Sequence, residues 1–390
     1  MGAARFVCRL QLAAGLSLLG LLSFGSSAPA QARRAVTPAG RVTEFTAGLR
    51  SAYGSPQYIA RGRDGNLWFT TATSAFATVG GAIGRITPKG RITEFSTGAG
   101  TPSGIAAGAD GNIWFTTAAA IGRMTPKGDI TYFPLTESLG QAALGIALGS
   151  DRNMWFTVTG CQHLVQDCWI GRITPTGQIT EFSAGMHSSQ SAPYDIALGP
   201  DGNMWFTDNG CVGNGPCAIG RITPRGEITE FGAIESGDEP VFIAPGPDRA
   251  MWFTESAANG GPPGVGRITT TGKASFFYTY QAAGRAGNRL QLGLDPAGIA
   301  SGPGGWLWIS DSGCLNGPPL ACAVGRFRPG HGVGLVDTLP AIHVSWYYRP
   351  FGTRWSPGPI AQGADRNMWF TSAAVNRAAV AIGRITTGSR

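Results

Sequence analysis

The sequence predicts an all-β fold, a seven-bladed β-propeller with four-stranded antiparallel blades. Three observations carry this prediction. Glycine contributes 60 of the 390 residues and proline 26, which disfavours a helical bundle because glycine costs roughly 1 kcal/mol in a helix interior. A tryptophan-centred motif, W-F-T in most copies, recurs seven times. The two ends of the chain also carry complementary parts of one repeat.

Each repeat has the same order of segments. An inner strand leads through an Asp-Gly-Asn-type turn into the W-F-T strand, and an I-G-R-I-T strand and an outer I-T-E-F strand follow. Asp, Asn and Gly tolerate positive φ, and proline suits the Pro-x-Gly turn before I-T-E-F. Repeats of 41 to 61 residues with several strands each are typical of propellers. The central tryptophans are Trp68, Trp114, Trp155, Trp205, Trp252, Trp308 and Trp369.

The chain ends predict a closed ring. The last repeat stops after IGRITTGSR without an I-T-E-F strand, whereas TPAGRVTEF at residues 37–45 has no W-F-T segment before it. Pairing this N-terminal strand with the last blade would complete that blade and leave no open sheet edge. We therefore expect residues 31–390 to form one propeller domain. A closed ring needs no partner at an edge, so we expect a monomer.

Residues 1–30 have the layout of a secretory signal peptide. Arg5 and Arg9 precede an apolar stretch at residues 10–24, and small residues follow up to Ala30. This arrangement predicts export to the periplasm or the medium and no membrane span after cleavage. An uncleaved anchor is the alternative. The sequence does not distinguish a periplasmic protein from a released one.

Six cysteines fall in three close pairs, each between a W-F-T and an I-G-R segment. An even number of cysteines at equivalent positions, behind an export signal, predicts three local disulfides. Metal–thiolate sites are the alternative, although two cysteines without paired histidines are a poor ligand set. The pairs are Cys161 with Cys168, Cys211 with Cys217, and Cys314 with Cys322.

The positive net charge of +7 does not predict nucleic-acid binding, because seven arginines occupy one repeat position. We expect these arginines to pair with acids of their own blade, such as Glu94, Glu181 and Glu230. The repeated arginines are Arg85, Arg123, Arg172, Arg221, Arg267, Arg326 and Arg384.

The paired W-F-T and I-G-R-I-T motifs resemble those of the streptogramin B lyase (virginiamycin B lyase) family over nearly the whole mature chain. The resemblance implies a carbon–oxygen lyase that opens cyclic depsipeptides by elimination, with a histidine base and carboxylate-bound Mg²⁺. In that family the working histidines follow a proline where an inner strand begins. None of the corresponding residues here is histidine, so the sequence leaves open whether the protein is an enzyme. They are Gln57, Ser103, Leu144, Tyr194, Val241, Ala297 and Gly358.

Candidate site residues gather on the face where the inner strands begin. A small-molecule, peptide or glycan ligand is expected to contact Tyr58, Tyr194, Asp195, Trp346 and Trp355. His187 and His343 are the candidates for a substitute catalytic base. Asp208, Glu239, Glu255, Asp295 and Asp311 are candidates for binding Mg²⁺ or Ca²⁺ through carboxylate oxygens, with capping of loop amides as the alternative role.

Three functions remain open on the sequence. The first is the lyase reaction with a nonstandard base. The second is a ligand- or protein-binding module in which aromatic side chains offer stacking surfaces. The third is a metal-dependent lactonase or other hydrolase.

Overall fold

In the computed structural model, seven sheets surround a central channel. The structure describes residues 39–72, 80–98, 100–135, 142–160, 168–186, 191–210, 217–232, 239–256, 264–280, 296–312, 323–329, 334–336, 339–343, 345–347, 355–374 and 380–388. Residues Thr37–Arg390 form one compact unit. Among the described residues, no helix has the length and apolar character needed to cross a membrane.

The innermost strand of each sheet contacts the innermost strands of both neighbouring sheets, and these contacts form a closed cycle. The inner strands are β2 (Ser55–Arg61), β6 (Ile105–Ala107), β10 (Ala142–Leu148), β14 (Pro193–Leu198), β18 (Glu239–Pro245), β22 (Pro296–Gly302) and β28 (Trp355–Gln362). The second strands carry the W-F-T motifs. They are β3 (Leu67–Ala72), β7 (Ile113–Thr116), β11 (Met154–Thr159), β15 (Met204–Asp208), β19 (Ala250–Ser256), β23 (Trp306–Asp311) and β29 (Met368–Ala374).

The third strands carry the I-G-R motifs. They are β4 (Ala82–Ile86), β8 (Ala120–Met124), β12 (Trp169–Ile173), β16 (Ala218–Ile222), β20 (Gly264–Thr269), β24 (Ala323–Phe327) and β30 (Val380–Ile385). The outer strands complete the blades. They are β5 (Ile92–Ser96), β9 (Ile130–Pro134), β13 (Ile179–Phe182), β17 (Ile228–Phe231), β21 (Ala274–Tyr280), β27 (Ser345–Tyr347) and β1 (Val42–Phe45). A short 3₁₀ helix spans Ser51–Tyr53.

The predicted ring closure is confirmed. Strand β1 pairs antiparallel with β30, with Val42 opposite Ile385 and Phe45 opposite Ile382. The last blade therefore takes its outer strand from the beginning of the chain.

The insertion at residues 330–356 contributes strands of its own. The sixth repeat has no I-T-E-F segment, and β27 takes the outer position there by pairing with β24. A hairpin of β25 (Gly334–Val336) and β26 (Leu339–His343) extends the fifth sheet, with β26 parallel to β21.

The hydrophobic core lies between the blades. Seven clusters occupy the seven blade interfaces, and each combines the W-F-T tryptophan of one blade with residues of the next. Trp205 is fully buried, as is Phe206, its neighbour in the motif. The I-G-R glycine makes room for that phenylalanine, because a Cβ on Gly220 would lie 2.0 Å from the Phe206 ring. The W-F-T and I-G-R motifs therefore determine how neighbouring blades pack against each other.

The repeated arginines do not pair with Glu94, Glu181 and Glu230, so that expectation is wrong. Arg85 lies opposite Thr93 on the outer strand while Glu94 lies opposite Gly84, and adjacent positions in a strand point to opposite faces. Glu94 instead accepts a hydrogen bond from the Arg50 amide.

Each repeated arginine lies over the W-F-T tryptophan of its own blade, 5.4 to 6.0 Å from the ring centroid. Six of them also donate to a backbone carbonyl of the next blade at 2.7 to 3.3 Å. The exception is Arg267, which forms an ion pair with Asp248. These arginines therefore link neighbouring blades.

Candidate functional site

A cavity of about 170 Å³ lies on the axis of the ring. Every inner strand contributes two consecutive residues to its wall, the second of which is always isoleucine. The residues lining it are Tyr58, Ile59, Gly104, Ile105, Gly145, Ile146, Asp195, Ile196, Phe242, Ile243, Gly298, Ile299, Pro359 and Ile360. The top face is defined here as the face at which the inner strands begin.

A β-bulge shapes most inner strands at the depth of the cavity. In the fourth blade the register of β14 against β15 shifts between Pro193 and Ile196. A bulge leaves backbone amide and carbonyl groups of the strand without their usual partners and changes the direction of the side chains. The Thr207 hydroxyl compensates, because it accepts a hydrogen bond from Asp195 N at 3.0 Å and donates one to Val241 O of the next blade at 2.9 Å.

The hydroxyl of the W-F-T motif makes the same kind of contact in other blades. Thr116 and Thr157 each bond both their own inner strand and the inner strand of the next blade. Thr371 donates to Gln57 O across the junction of the chain ends. The hydroxyls therefore fix the inner strands, and with them the side chains that line the channel.

Three aromatic side chains meet across the channel. Phe242 of the fifth blade packs edge-on against Tyr58 of the first blade and Tyr194 of the fourth, with centroids 6.0 Å apart in both pairs. The Tyr58 hydroxyl lies near the hydroxyls of Tyr194 and Ser103. We call Tyr58, Tyr194, Phe242 and Asp195 the aromatic throat.

Asp195 is the carboxylate of this throat. Its Oδ2 accepts a hydrogen bond from Ile243 N of the next blade at 3.0 Å, and the Ile196 amide lies close to the carboxylate. Removal from water raises the pKa of Asp195 to about 7, although the two amides act in the opposite direction. The same burial raises the pKa of Tyr58 and Tyr194 above 10, so both stay neutral at physiological pH.

The positions that correspond to the family's histidines lie just above the cavity, each directly before a pair of residues that lines it. Gln57 is exposed there, while Tyr194 and Val241 are half-buried. The structure therefore places all seven positions around the upper mouth of the channel, and none of them carries an imidazole.

The candidate metal ligands occupy successive blades. Asp208, Glu255 and Asp311 lie opposite the inner-strand prolines Pro193, Pro240 and Pro296, and all three acids are buried.

Asp208 accepts hydrogen bonds from Ala192 N at 2.6 Å and Gly210 N at 2.9 Å, which is the amide-capping role considered as the alternative. Glu239 lies opposite Ser256, at the start of β18, and Asp295 lies outside the described residues. In the part of the chain that the structure describes, no three His, Cys, Asp or Glu side chains are placed to hold a metal ion. Binding of Mg²⁺ or Ca²⁺ by the candidate acids stays a prediction.

The remaining candidate site residues lie away from the aromatic throat or outside the described residues. His343 is on β26, the fifth strand outward in its sheet, so its backbone is about 19 Å from the inner strand at normal strand spacing. Trp346 is on the outer strand β27, opposite Gly325. Trp355 begins the inner strand β28 at the top face. His187 lies outside the described residues.

Two of the six paired cysteines are described, Cys168 and Cys217, and both are buried. Cys161, Cys211, Cys314 and Cys322 lie outside the described residues, so the three disulfides stay a prediction.

Phe242 is the throat residue that sequence reasoning missed. It sits in the segment EPVFI, one residue after the position compared with the family's histidines, as Tyr58 and Asp195 do in their own blades. Aligning the seven inner strands on the isoleucine that follows would have identified it.

The comparisons with known proteins agree with this architecture. The model of the Virginiamycin B lyase family matches residues 24–168 and 164–316. A solved streptogramin B lyase structure is 27% identical, with a TM-score of 0.67 over 90% of this chain and 100% of that one. No curated protein matches the chain in sequence.

Two structures of virginiamycin B lyase from Staphylococcus aureus are each 28% identical, with a TM-score of 0.66 over 89% of this chain and 99% of theirs. One is a selenomethionine form. The other is a catalytically inactive histidine-to-alanine variant with quinupristin.

Proposed function

This chain belongs to the virginiamycin B lyase family, and we propose that it is an exported member that binds a small-molecule or peptide ligand over the top mouth of its channel. The observation that carries the proposal is the ring of seven mouth positions, none of which is histidine. An elimination needs a base of suitable pKa within hydrogen-bond reach of the proton that it removes. The family's histidine-dependent reaction therefore has no base at its usual positions. Export rests on the leader-like residues 1–30.

Quinupristin with Mg²⁺ is a suitable probe, because elimination and hydrolysis leave different masses. Ring opening by elimination gives a product of unchanged mass and a new retention time, whereas hydrolysis adds one water. We expect the cyclic compound to stay intact with this protein and to be opened by the Staphylococcus aureus enzyme as the positive control. Saturable binding in calorimetry that weakens in Tyr194→Ala would support the mouth as the site. Ring opening in proportion to protein concentration would overturn the proposal.

A second candidate function is favoured by Asp195. A carboxyl group with a pKa of about 7 is suited to general-base catalysis near neutral pH. In such an elimination the Asp195 carboxylate would take a proton beside a carbonyl group. The electron pair of that C–H bond would form a C=C bond, and the ester carboxylate would leave with the electrons of the broken C–O bond. Activity that rises with pH through about 7 and disappears in Asp195→Asn would support this function.

A metal-dependent hydrolase gains no support from Asp208. Asp208 uses its carboxylate for two backbone amides. We therefore derive no catalytic step through a metal ion.

A further inference from the structure

We propose that the aromatic throat recognises a positively charged nitrogen, an ammonium or quaternary ammonium group of the ligand. This inference rests on the proposed function, since it assigns the part of the ligand that enters the channel. It depends on three observations: the arrangement of the rings, the absence of a cationic side chain among the described residues that line the cavity with Asp195, and the size of the cavity.

The rings offer more than one aromatic surface to a group on the channel axis. Phe242 makes an angle of 61° with Tyr58 and 84° with Tyr194, so the three rings do not stack as parallel plates. Aromatic faces attract cations through the negative potential of the π system, and rings at steep angles can surround one cation. Neutral or anionic groups lack this attraction.

Asp195 supplies a negative charge that the cavity wall does not balance. None of the described residues lining the cavity is lysine, arginine or histidine. The titratable groups that act on Asp195 from its own strand and from β2 are Tyr194 and Tyr58, both phenols. Strands β10 and β18 contribute Gly145, Phe242 and isoleucines to the wall, none of which titrates. A ligand cation would therefore supply the missing counter-charge, whereas an anion would be repelled.

The size of the cavity limits what can enter. A volume of about 170 Å³ is below the roughly 300 to 1,000 Å³ of typical sites for drug-sized ligands. The inner strands of the second, third and fourth blades pack closely at this level, because a Cβ on Gly104 or Gly145 would meet backbone atoms of the next blade within 3.0 Å. The throat therefore fits one small head group, and the rest of the ligand would lie over the mouth.

A purely structural role for Asp195 would not require a charge. Bonding the Ile243 amide needs only an acceptor oxygen, and asparagine would supply one without the cost of removing a carboxylate from water. Asp195→Asn therefore separates the two roles, because it keeps the acceptor and removes the charge.

Tetramethylammonium chloride is the probe, and tert-butanol and trimethylacetate are its neutral and anionic counterparts of similar shape. Titration of the full mature chain, followed by calorimetry or NMR, should show tetramethylammonium binding about tenfold or more tightly than tert-butanol. Trimethylacetate should not compete. Equal affinity for tetramethylammonium and tert-butanol would overturn the inference.

Matched variants test the two parts of the site. Asp195→Asn should weaken tetramethylammonium binding about tenfold or more. Phe242→Leu should weaken it roughly 2- to 30-fold because an aromatic face is lost, whereas Phe242→Tyr keeps the ring and should bind like the parent. Tyr58→Phe keeps a ring at the other wall and should also bind like the parent, and the Phe242 variants remain as the test should Asp195→Asn fail to fold. Unchanged affinity in Asp195→Asn or Phe242→Leu would contradict the inference.

The pH dependence gives an independent readout. Tetramethylammonium keeps its charge at every pH, so a change in affinity reports the protein. Ionisation of Asp195 should tighten binding between about pH 5 and about pH 8 in the parent and leave Asp195→Asn unaffected. A flat profile in the parent would contradict the inference. If tetramethylammonium does not bind as expected but quinupristin is bound and stays intact, the cation inference is wrong and the proposed function stands. If quinupristin is opened, the proposed binding function is wrong, and the tetramethylammonium titration still tests cation recognition separately.

Discussion

Asp195 shows at the scale of one residue how the ring alters side-chain chemistry. It lies among phenol rings and backbone amides, where its charged form loses water and no described residue of the cavity wall supplies a cation. The protein therefore favours the protonated form over a pH range in which an unfolded chain would ionise the same group.

This difference makes stability depend on pH with a defined sign. The folded-state pKa of Asp195, about 7, is above the ordinary value of 3.8, so the folded protein binds more protons between these limits. The contribution of Asp195 to the free energy of unfolding should fall as pH rises from about 4 to about 7 and stay low above that. Urea denaturation of the parent and Asp195→Asn checks this. We expect Asp195→Asn to gain relative stability over this range, and a constant difference would contradict the pKa assignment.

Arg152 illustrates a residue whose backbone conformation, rather than its contacts, sets its effect on stability. It has a φ of 67° in the turn before β11, where the fourth blade has Gly202 with a φ of 79°. Residues with a Cβ pay roughly 1–2 kcal/mol for this left-handed conformation. Arg152→Gly removes this strain, but glycine loses more entropy on folding, which offsets part of the gain. We therefore expect the free energy of unfolding to rise by about 0.5–1 kcal/mol.

Gly65→Ala is the matched control for Arg152→Gly. Gly65 has a φ of 81°, and a Cβ added there would contact nothing within 4 Å. The effect of Gly65→Ala therefore comes from backbone strain alone. In thermal denaturation this variant should have a lower melting temperature than the parent, whereas Arg152→Gly should have a higher one. If Arg152→Gly is less stable than the parent, the contacts of the arginine side chain stabilise the protein by more than its backbone strain destabilises it, and the prediction is wrong.

At the scale of the strand, the hydroxyl of the W-F-T motif explains why a threonine follows two aromatic residues. Thr207 is buried and satisfies one amide of its own blade and one carbonyl of the next. Thr207→Val keeps the shape but leaves both groups without this partner, and each buried unsatisfied group costs roughly 1–3 kcal/mol. We expect a loss of about 2–4 kcal/mol in urea denaturation. Thr207→Ser keeps the hydroxyl, and a similar loss in that variant would contradict the hydrogen-bond explanation.

The strands were predictable wherever the repeat was regular. Trp205, Phe206 and Gly220 recur with fixed spacing because the same ring must fit the same gap in each blade interface. The S-W-Y strand of the sixth blade and the hairpin β25–β26 have no counterpart in the other repeats. Their pairing depends on which blade edge is vacant, and that information is not local to their sequence.

The site was only partly predictable, because a propeller brings together residues from blades that are distant in sequence. Tyr58 and Tyr194 were identified from their position in the repeat, and the structure brings their hydroxyls near each other in the channel. Their contact with Phe242 depends on how far each side chain reaches over the axis. Likewise, Asp208 was considered for metal binding because its type suits that role, whereas its amide partners emerge only from the folded loop.

The whole molecule depends on closure between its chain ends. Phe45 of β1 stacks on Trp369 at 5.3 Å, and Arg384 lies over both rings. Removing residues 1–48 would take away this stack and expose the edge of β30, and exposed strand edges promote association. We expect the truncated chain to lose roughly 3 kcal/mol or more of stability and to self-associate in size-exclusion chromatography.

A peptide of residues 37–48 added in trans separates ring closure from general damage by truncation. It carries the missing strand, so it should restore the melting temperature and the monomeric elution of the truncated chain in a saturable manner. The same peptide with Phe45→Ala lacks the ring that stacks on Trp369 and should restore neither. If both peptides rescue equally, backbone pairing with β30 alone closes the ring. If neither rescues, the covalent link through residues 46–54 is itself required, and closure would depend on the connection to β2 rather than on the strand.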